Sequence, residues 1–376
     1  TTMWDTGSVL GGIIAARELC LVTQKEFDDQ ITNILKTLNT IELYDGYAPN
    51  KAYNTKNGEM VDYLNKTSED GIGVSVLDLA RLAAWLNILT QGHPKYTLAA
   101  RNVMMRWNFE KLIANGQMYG SYRDPVSKQT KPVQEGRLGY EQYAGKVFAK
   151  LGFNQEISAT YHNKFKSTVL IYDVPIAYDS RDPRELGAYN YVVTESYALD
   201  AMEHGIDQGN RALIKNIFQV QKERWLKTGI VTAVSEDNVD RKPYFVYNTI
   251  FTAGIPWNTI TDKGINYHQL KSVSVKAAMS LALLYPNADY SKLLLNAIES
   301  AYHPEKGWYS GVFEDGKGYN KAITANTNGI ILSTILFKMH GTLFKECSLC
   351  GGDLTFAETW AEKFKPKNML ALIDNK

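Results

Sequence analysis

Long apolar stretches alternate with amphipathic ones along this chain. Residues 74–89 carry apolar side chains nearly all round a helix, which predicts a helix buried on most sides. Between residues 27 and 38, apolar side chains recur at steps of three and four with polar residues between them, which predicts one buried face. The one-sided pattern returns in residues 96–113 and 211–226. This alternation predicts two concentric layers of helices.

Six polar or aromatic clusters each open one of the long apolar runs, at a spacing of roughly 60 residues. Six such helix pairs predict an all-α fold, an (α/α)6 toroid whose openings lie together at one mouth of the ring. The six openings are Trp4-Asp5, Glu69-Asp70-Gly71, Glu135-Gly136-Arg137, Tyr189-Asn190-Tyr191 with Glu195, Ser272 with Ser274, and Asn326-Thr327-Asn328-Gly329.

The later part of the chain fits the repeat less closely. Residues 291–302 and 355–364 predict the tenth helix and a short twelfth helix. The sixth position, after Gly152, lacks a helical pattern, and residues 167–172 and 244–247 have the β-branched and aromatic content of strands. We therefore expect a small β-hairpin or a long ordered loop at the cleft mouth.

Composition favours one large domain covering residues 1–376. No linker or low-complexity stretch divides the chain, and 44% of its residues are hydrophobic. A formal net charge of +1 lacks the basic footprint of nucleic-acid binding, and no apolar segment is long enough to span a bilayer. The 23 tyrosines exceed the 13 phenylalanines, and a tyrosine offers both a flat face and a polar tip. Many would cap core edges, but the remainder suit a sugar site.

The sequence begins without methionine and shows no signal peptide, so we expect a mature or excised piece. Cys347 and Cys350 form an isolated CxxC, for which a local disulfide and two free thiols are both open. A structural zinc site would need a second pair of ligands. Cys20 is expected to be an inert core residue inside a buried helix.

Hydrolysis of a polysaccharide needs one carboxylic acid to protonate the leaving oxygen and a second carboxylate to activate water or attack the sugar. In a helix toroid, such groups project from the loops and first turns of the inner helices. Each acid alone has a structural explanation, because acidic residues at helix starts favour capping and the helix dipole. Several acids that converge on one mouth point together to catalysis. The candidates at the openings are Asp5, Glu69, Asp70, Glu135 and Glu195.

Glu135 is the strongest single candidate. Two glycines follow it and allow close backbone approach, Arg137 is placed to orient a carboxylate, and Tyr140 offers a stacking face. Glu141 lies four residues after Arg137, a spacing that predicts a structural ion pair between the two.

Two further segments are rich in polar residues. In residues 179–197, Arg181, Asp182 and Arg184 suit an ion-paired loop at the rim, whereas Tyr189 and Glu195 come next to a buried helix and are expected to point inward. In residues 236–247, the acids Glu236, Asp237 and Asp240 precede Tyr244 and Tyr247. This second segment either reaches the cleft or forms a solvated turn followed by a strand.

Other chemistries find little support, and no metal or cofactor is predicted. The six histidines are scattered without an HExxH motif, and neither a GxSxG elbow, a Walker loop nor a GxGxxG motif is present. Acids near Asn326 and Asn328 are compatible with calcium, but Asn-Thr-Asn-Gly equally suits a helix cap.

The motifs together resemble the bacterial putative-glucoamylase family, long catalogued as a domain of unknown function. The resemblance covers nearly the whole chain apart from the Cys347–Cys350 pair. It implies an (α/α)6 fold akin to endo-β-glucanases and the related domains of cyclic glucan synthases, in envelope or exported proteins linked to exopolysaccharide. It also implies that Asp5, Glu135 and Glu195 are acids of the cleft. The motifs that carry it are residues 2–8, 58–63, 134–141, 179–197 and 326–332.

The resulting hypothesis is a glycoside hydrolase that cleaves a bacterial exopolysaccharide or β-glucan, endo-acting and inverting. Glu135 is then the general acid, Asp5 the base, and Glu195 a third acid able to replace either. A non-catalytic glycan-binding toroid in polysaccharide synthesis or export is the alternative, and a lyase or phosphorylase is a more distant one. The expected partner is an oligo- or polysaccharide. The resemblance further implies a periplasmic or secreted location, with the chain as part of a larger envelope protein or of exopolysaccharide machinery. Substrate contacts are expected from Trp4, Asp70, Arg137, Tyr140, Tyr189, Tyr247, Glu236, Asn326 and Asn328.

Overall fold

Helices form most of the framework of the protein. The computed structural model describes residues 1–135, 137–181 and 190–364. The helix Thr194–Leu199 continues into a π-helical segment, Asp200–His204, and two 3-10 turns lie at Pro94–Tyr96 and His268–Leu270. The described α-helices are α1 Met3–Glu18, α2 Gln24–Thr40, α3 Val76–Gly92, α4 Thr97–Met104, α5 Phe109–Leu112, α6 Tyr140–Lys150, α7 Thr194–Leu199, α8 Arg211–Thr228, α9 Val275–Leu284, α10 Asp289–Ile298, α11 Ala325–His340 and α12 Phe356–Phe364.

Six of these helices pack against one another in a closed circuit. The order is α1, α3, α6, α7, α9 and α11, and α11 packs back against α1. These are the helices that the six apolar runs predict. Several begin at side-chain caps: Thr2 accepts from the backbone of Asp5, and Ser75 accepts from the backbone of Asp78.

Two glycines of the circuit allow close helix packing. A Cβ at Gly329 of α11 would collide with the backbone oxygen of Ser8 in α1. A Cβ at Gly11 would lie 2.9 Å from the indole of Trp85 in α3. Helix α1 therefore lies close to both of its neighbours in the circuit.

Other helices lie outside the circuit. Helix α2 packs on α1 and α4, α4 on α3, α8 on α7, and α10 on α9. The one-sided pattern over 96–113 is divided between a 3-10 turn, α4 and the short α5, so the single long helix predicted there is wrong. The tenth helix is also earlier than predicted, and Tyr302 lies in a strand.

Helix α12 does not follow the order of the repeat. Its Trp360 donates to the backbone oxygen of Trp107 at 2.8 Å, and the Phe356 ring lies 5.9 Å from the ring of Phe109. The amide of Ala357 also donates to the oxygen of Leu151, the residue after α6. The last helix therefore covers the end of α6, where the sequence repeat lacks a helix.

Small antiparallel sheets fill the loops between helices. A hairpin is present where the sequence predicts one: β7 (Lys166–Ile171) and β8 (Val174–Asp179) pair along their length. Strand β8 packs on α8, outside the circuit, so the predicted place at the cleft mouth stays a prediction. The strand predicted at 244–247 corresponds to β10 (Phe245–Asn248), which pairs with β9 (Glu236–Asn238) and β13 (Thr259–Ile260). The strands are β1 Leu43–Tyr44, β2 Ala48–Pro49, β3 Gly73–Val74, β4 Ile113–Ala114, β5 Gln117–Arg123, β6 Thr130–Gln134, β7 Lys166–Ile171, β8 Val174–Asp179, β9 Glu236–Asn238, β10 Phe245–Asn248, β11 Phe251–Thr252, β12 Ile255–Pro256, β13 Thr259–Ile260, β14 Ser272–Ser274, β15 Tyr302–His303, β16 Gly307–Trp308, β17 Gly311–Phe313 and β18 Tyr319–Asn320.

The cysteines fall in two environments. Cys347 and Cys350 form a disulfide with a Cα–Cα distance of 5.4 Å. Cys20 is exposed, so its predicted place inside a buried helix is wrong. Helix α1 ends at Glu18, and Cys20 follows with a positive φ of 58°. Within the described ranges, every helix is too short or too polar to cross a bilayer.

Candidate active site

The six helices of the circuit bring their amino ends to one place. Each contributes a polar side chain from its first turn. Glu195 contacts both Lys276 and Asn326, and the charges of Asp5 and Asp78 act on each other. The openings at Trp4, Glu195 and Asn326 therefore come together, whereas Asp70 of the second opening lies elsewhere. The first-turn residues are Asp5 of α1, Asp78 of α3, Tyr140 of α6, Glu195 of α7, Lys276 of α9 and Asn326 of α11.

Glu195 lies at the centre of the most tightly bonded part of the site. Its Oε1 accepts from the indole Nε1 of Trp4 at 3.0 Å and from the Asn326 amide at 3.4 Å. Its Oε2 forms an ion pair with the Lys276 ammonium. Ser8 donates to the Asn326 Oδ1 at 2.8 Å and so fixes the orientation of that amide. Glu195 is thus a buried carboxylate held by three donors.

Strand β9 adds two acids beside this centre. Glu236 and Asp237 are adjacent in the strand, so their side chains leave on opposite faces. The Oδ1 of Asp237 is buried, accepts from Ser274 at 3.1 Å and lies 3.8 Å from the Lys276 ammonium. Glu236 is half-buried, so of the two acids it is the one that remains partly exposed to solvent.

The protonation of Glu236 and Asp237 differs from that of ordinary surface acids. Desolvation, followed by the negative charge of Glu195, raises the pKa of Glu236 to about 7. Lys276 opposes that rise. Desolvation also raises the pKa of Asp237 to about 7, against the lowering effects of Lys276 and Ser274. Glu236 can therefore carry a proton near neutral pH.

Aromatic rings and one guanidinium line the adjacent wall. The rings of Tyr191 and Tyr247 stack with centroids 3.5 Å apart and planes 2° apart. The Arg137 guanidinium lies 5.7 Å from the centroid of the Tyr191 ring. Trp4 and Tyr140 meet edge-to-face at 5.4 Å. This combination of flat faces and donors is the kind that binds sugar rings.

A second acidic group faces the wall from the α3 side. Oε2 of Glu135 accepts from the amide of Val76 at 2.7 Å and from that of Leu77 at 3.4 Å, at the start of α3. Desolvation raises the pKa of Glu135, while the positive charges of Lys51 and Arg137 lower it. Because Gly120 has no side chain, the Glu135 carboxyl fits against its Cα.

Asp78 is the neighbour of Glu135 in this group. Desolvation, and then the charges of Glu135 and Asp5, raise the pKa of Asp78 to about 8, although the hydrogen bond from Ser75 lowers it. Asp5 itself uses Oδ2 to accept from the Thr2 amide at 3.1 Å and the Thr2 hydroxyl at 3.0 Å. Asp5 is therefore a helix cap as well as a member of the acidic group.

A buried ion pair supports the floor of the site. Arg81 pairs with Glu203, and Tyr143 donates to the other oxygen of Glu203 at 2.6 Å. The Arg81 guanidinium also lies 5.3 Å from the ring centroid of Trp4. These contacts fix Trp4 from below and leave its indole N–H directed at Glu195.

Tyr63 lies in the loop before α3, near the acidic group of Asp78 and Glu135. It is 68% exposed, and its loop is braced by Asp62, which accepts from the amides of Leu64 and Lys66. Desolvation, then the charges of Asp78 and Glu135, raise the pKa of the Tyr63 hydroxyl. An exposed aromatic ring therefore lies beside this acidic group.

Several predicted residues lie elsewhere. Asp70 is exposed and pairs with Arg123 at 3.0 Å, in a surface groove that Glu69 also lines. Both polar atoms of Asn328 are bonded to backbone, including the amide of Trp308 at 2.8 Å, which is a structural role. Tyr189 lies outside the described residues.

The rim loop has a different ion pair from the one expected. Glu141 pairs with Arg181 at 2.5 Å, so the predicted pair with Arg137 is wrong. Arg181 also pairs with Asp179 and braces the rim as expected. Asp182 and Arg184, the other members of the predicted loop, are not among the described residues.

Two important residues, Asp78 and Lys276, are absent from the predicted set. Lys276 is the single charge of the apolar α9, and Asp78 shares the largely apolar α3 with one other charge. Burying a lone charge is costly, so a charge in such a run needs a partner. That signal was available for both positions, and also for Arg81 in α3.

Residues 1–341 match the family described as "Protein of unknown function (DUF3131)". The chain belongs to this family. The relationship predicted from the sequence motifs is confirmed, since similar solved structures include glucoamylase-type proteins and endo-β-1,2-glucanases. No curated protein matches the chain.

Three solved structures illustrate the likeness. A putative glucoamylase from Bacteroides caccae ATCC 43185 has a TM-score of 0.67 at 13% identity, covering 96% of this chain and 88% of that one. An endo-β-1,2-glucanase from Chitinophaga pinensis, complexed with sophorotriose and glucose, has a TM-score of 0.65 at 14% identity, covering 96% and 87%. An endo-β-1,2-glucanase mutant from Talaromyces funiculosus with β-1,2-glucan has a TM-score of 0.59 at 15% identity, covering 92% and 75%. This family member thus shares their fold.

Proposed function

We propose that the protein is a glycoside hydrolase that cleaves a glucan, with a β-1,2-linked glucan as the first substrate to test. The carrying observation is the pair of acids Glu236 and Glu135: Glu236 can hold a proton, while the backbone amides at the start of α3 bind the Glu135 carboxylate. Glycoside hydrolysis needs such a division of labour between carboxyl groups.

The helix circuit supports the architecture expected for such an enzyme. We take α1, α3, α6, α7, α9 and α11 as the inner ring of an (α/α)6 toroid, with the other helices and the β7–β8 hairpin outside it. The likeness in fold to the endo-β-1,2-glucanases supports this arrangement.

Glu236 is the proton donor of the proposed reaction. A pKa of about 7 leaves it protonated in a large fraction of molecules at neutral pH. Glu195 is less suited to the role, because Trp4, Asn326 and Lys276 already occupy its oxygens. Asp237 is buried behind the strand and cannot reach the sugar.

Glu135 is the base. Its neighbour Asp78 keeps a proton at neutral pH, because two carboxylates in one desolvated site do not both ionise readily. The charge of the pair therefore resides on Glu135, which the α3 amides, Lys51 and Arg137 stabilise. The sequence suggested that Glu135 is the general acid, whereas the proposed reaction uses it as the base.

The reaction proceeds with inversion. Glu236 transfers its proton to the glycosidic oxygen as the bond from that oxygen to the anomeric carbon breaks. Glu135 takes a proton from water, whose oxygen bonds to the anomeric carbon from the opposite face. Exchange with solvent then returns a proton to Glu236 and removes one from Glu135.

The glucan binds along the aromatic wall. Tyr247 and Tyr63 offer faces for sugar rings, the buried Tyr191 supports the Tyr247 ring by stacking on it, and Arg137 donates to hydroxyl groups between the two acidic groups. A periplasmic or secreted location is part of the proposal, supported by the Cys347–Cys350 disulfide, because disulfides persist in oxidising compartments.

The test is a reducing-end assay on β-1,2-, other β- and α-glucans with wild type, Glu236→Gln and Glu135→Gln. We expect turnover of one glucan and a loss of at least about 100-fold in each variant. Glu305→Gln, a change at an exposed glutamate, is the matched control and should keep full rate. Full turnover by Glu236→Gln would refute the donor assignment. Calorimetric binding without turnover by wild type would favour the non-catalytic glycan-binding toroid.

A further inference from the structure

Lys276 is a lysine in an apolar helix, and it is only 3% exposed. Its ammonium pairs with Glu195 and lies 3.8 Å from the Oδ1 of Asp237. Lysine is rarely buried unless it is paired, so the position has a specific role in the site.

We propose that Lys276 is a positioning residue: it holds Glu195 as a fixed anion and thereby assigns the mobile proton of the site to Glu236. The inference rests on the proposed function, and it names the residue that decides which carboxyl group carries the proton.

The geometry around Glu195 supports this assignment. Two of its three donors, the Trp4 indole and the Asn326 amide, are neutral and bond to Oε1. Lys276 alone supplies a full charge, and it does so at Oε2. Without that charge, two desolvated carboxyl groups would compete for one proton, and either could hold it.

Glu236 is surrounded by charged and titratable groups from several elements. The effect of Lys276 must be separated from theirs, so the variants have to change one charge at a time. The groups are Arg137 before α6, Tyr140 in α6, Glu195 in α7, Asp237 in β9, Tyr247 in β10 and Lys276 in α9.

Glutamate side-chain ¹³C NMR shows, without a substrate, which of the two carboxyl groups holds the proton. Signals of Glu195 and Glu236 are identified by their loss in the Gln variants. In wild type and Lys276→Arg, we expect Glu195 to remain a carboxylate between about pH 5 and 8, while Glu236 titrates. In Lys276→Met, Glu195 should take up a proton in that range. Lys36→Met, at an exposed lysine, should leave both signals unchanged.

The pH profile of kcat gives a second readout. Glu195→Gln removes the negative charge beside Glu236, so the alkaline limb should move down by about one pH unit. Lys276→Met should lower kcat at least about tenfold, and Lys276→Arg should recover most of it.

The outcomes separate the two proposals. A Glu195 signal that stays a carboxylate in Lys276→Met, or that titrates in wild type, overturns the inference. If Lys276→Met does not fold, an unmoved alkaline limb in Glu195→Gln overturns it instead. Full turnover by Glu236→Gln refutes the donor assignment, while the NMR titration still decides whether Lys276 fixes the charge on Glu195.

Discussion

The indole N–H of Trp4 donates to Oε1 of Glu195 at 3.0 Å, although 191 residues separate the two in the sequence. The bond joins the first turn of α1 to the first turn of α7 and is buried. Glu195 also forms an ion pair with Lys276 and accepts a hydrogen bond from Asn326. This one carboxylate therefore connects four helices of the circuit. The acid thus contributes to the shape of the cleft as well as to its chemistry.

Replacing Trp4 by phenylalanine tests the stabilising part of that bond. The change keeps an aromatic ring but leaves a buried carboxylate with one donor fewer, which costs about 1–3 kcal/mol. Trp85→Phe is the matched control, because the Trp85 indole is fully buried and its N–H has no acceptor among the described residues. Urea unfolding should therefore show a larger loss for Trp4→Phe. Equal losses would mean that only ring volume matters at Trp4.

The raised pKa of Asp78 predicts that the stability of the protein depends on pH. Its pKa is raised from 3.8 to about 8 in the folded protein, so between these values the native state holds a proton that the unfolded chain has released. Stability therefore falls as pH rises through this window. Asp78→Asn should remove a part of the decline on the order of a few kcal/mol.

The measurement is the free energy of unfolding in urea at about pH 5 and pH 8. Wild type should lose more stability than Asp78→Asn between the two. Asp289→Asn, at a 97% exposed side chain, serves as the control and should follow wild type. Parallel curves for wild type and Asp78→Asn would contradict the proton-holding state of the half-buried Asp78.

The circuit helices were predictable because burial on all sides leaves a local pattern in the sequence. The position of α12 was not, since it depends on the contact of Trp360 with Trp107, far away in the chain. The error at Cys20 has a local cause: the apolar run continues past Glu18, but the backbone leaves the helix there, and Leu21 is 66% exposed.

The site was predictable where a polar cluster lies directly at a helix start, as at Trp4, Glu195 and Asn326. At the second opening, strand β3 separates the cluster from α3, so Asp70 lies too early and Asp78 takes the expected place. The pairing of Glu236 with Glu195 depends on a sheet packed against the circuit, which periodicity does not reveal.

Tyr247 tests the aromatic wall. Its ring stacks on Tyr191, so removal exposes one face and leaves a gap in the proposed sugar platform. We expect Tyr247→Ala to weaken glucan binding about tenfold and Tyr247→Phe to keep most of the affinity. Calorimetry with oligosaccharides measures both, with exposed Tyr302→Ala as control. Unchanged affinity in Tyr247→Ala would remove this wall from the binding site.

Gly329 tests the closure of the circuit between α11 and α1. A Cβ there would overlap the backbone oxygen of Ser8, and backbone atoms of two packed helices cannot move aside cheaply. Gly329→Ala should therefore destabilise by about 1–3 kcal/mol, despite the better helix propensity of alanine. Gly92→Ala, in α3 with open space around its Cα, should be neutral or stabilising. A thermal melt of the two variants checks this, and equal midpoints would show that α1 and α11 lie farther apart than described.

Because Ser8 also orients Asn326 toward Glu195, the Gly329 variant should lose glucan turnover even at temperatures where it remains folded.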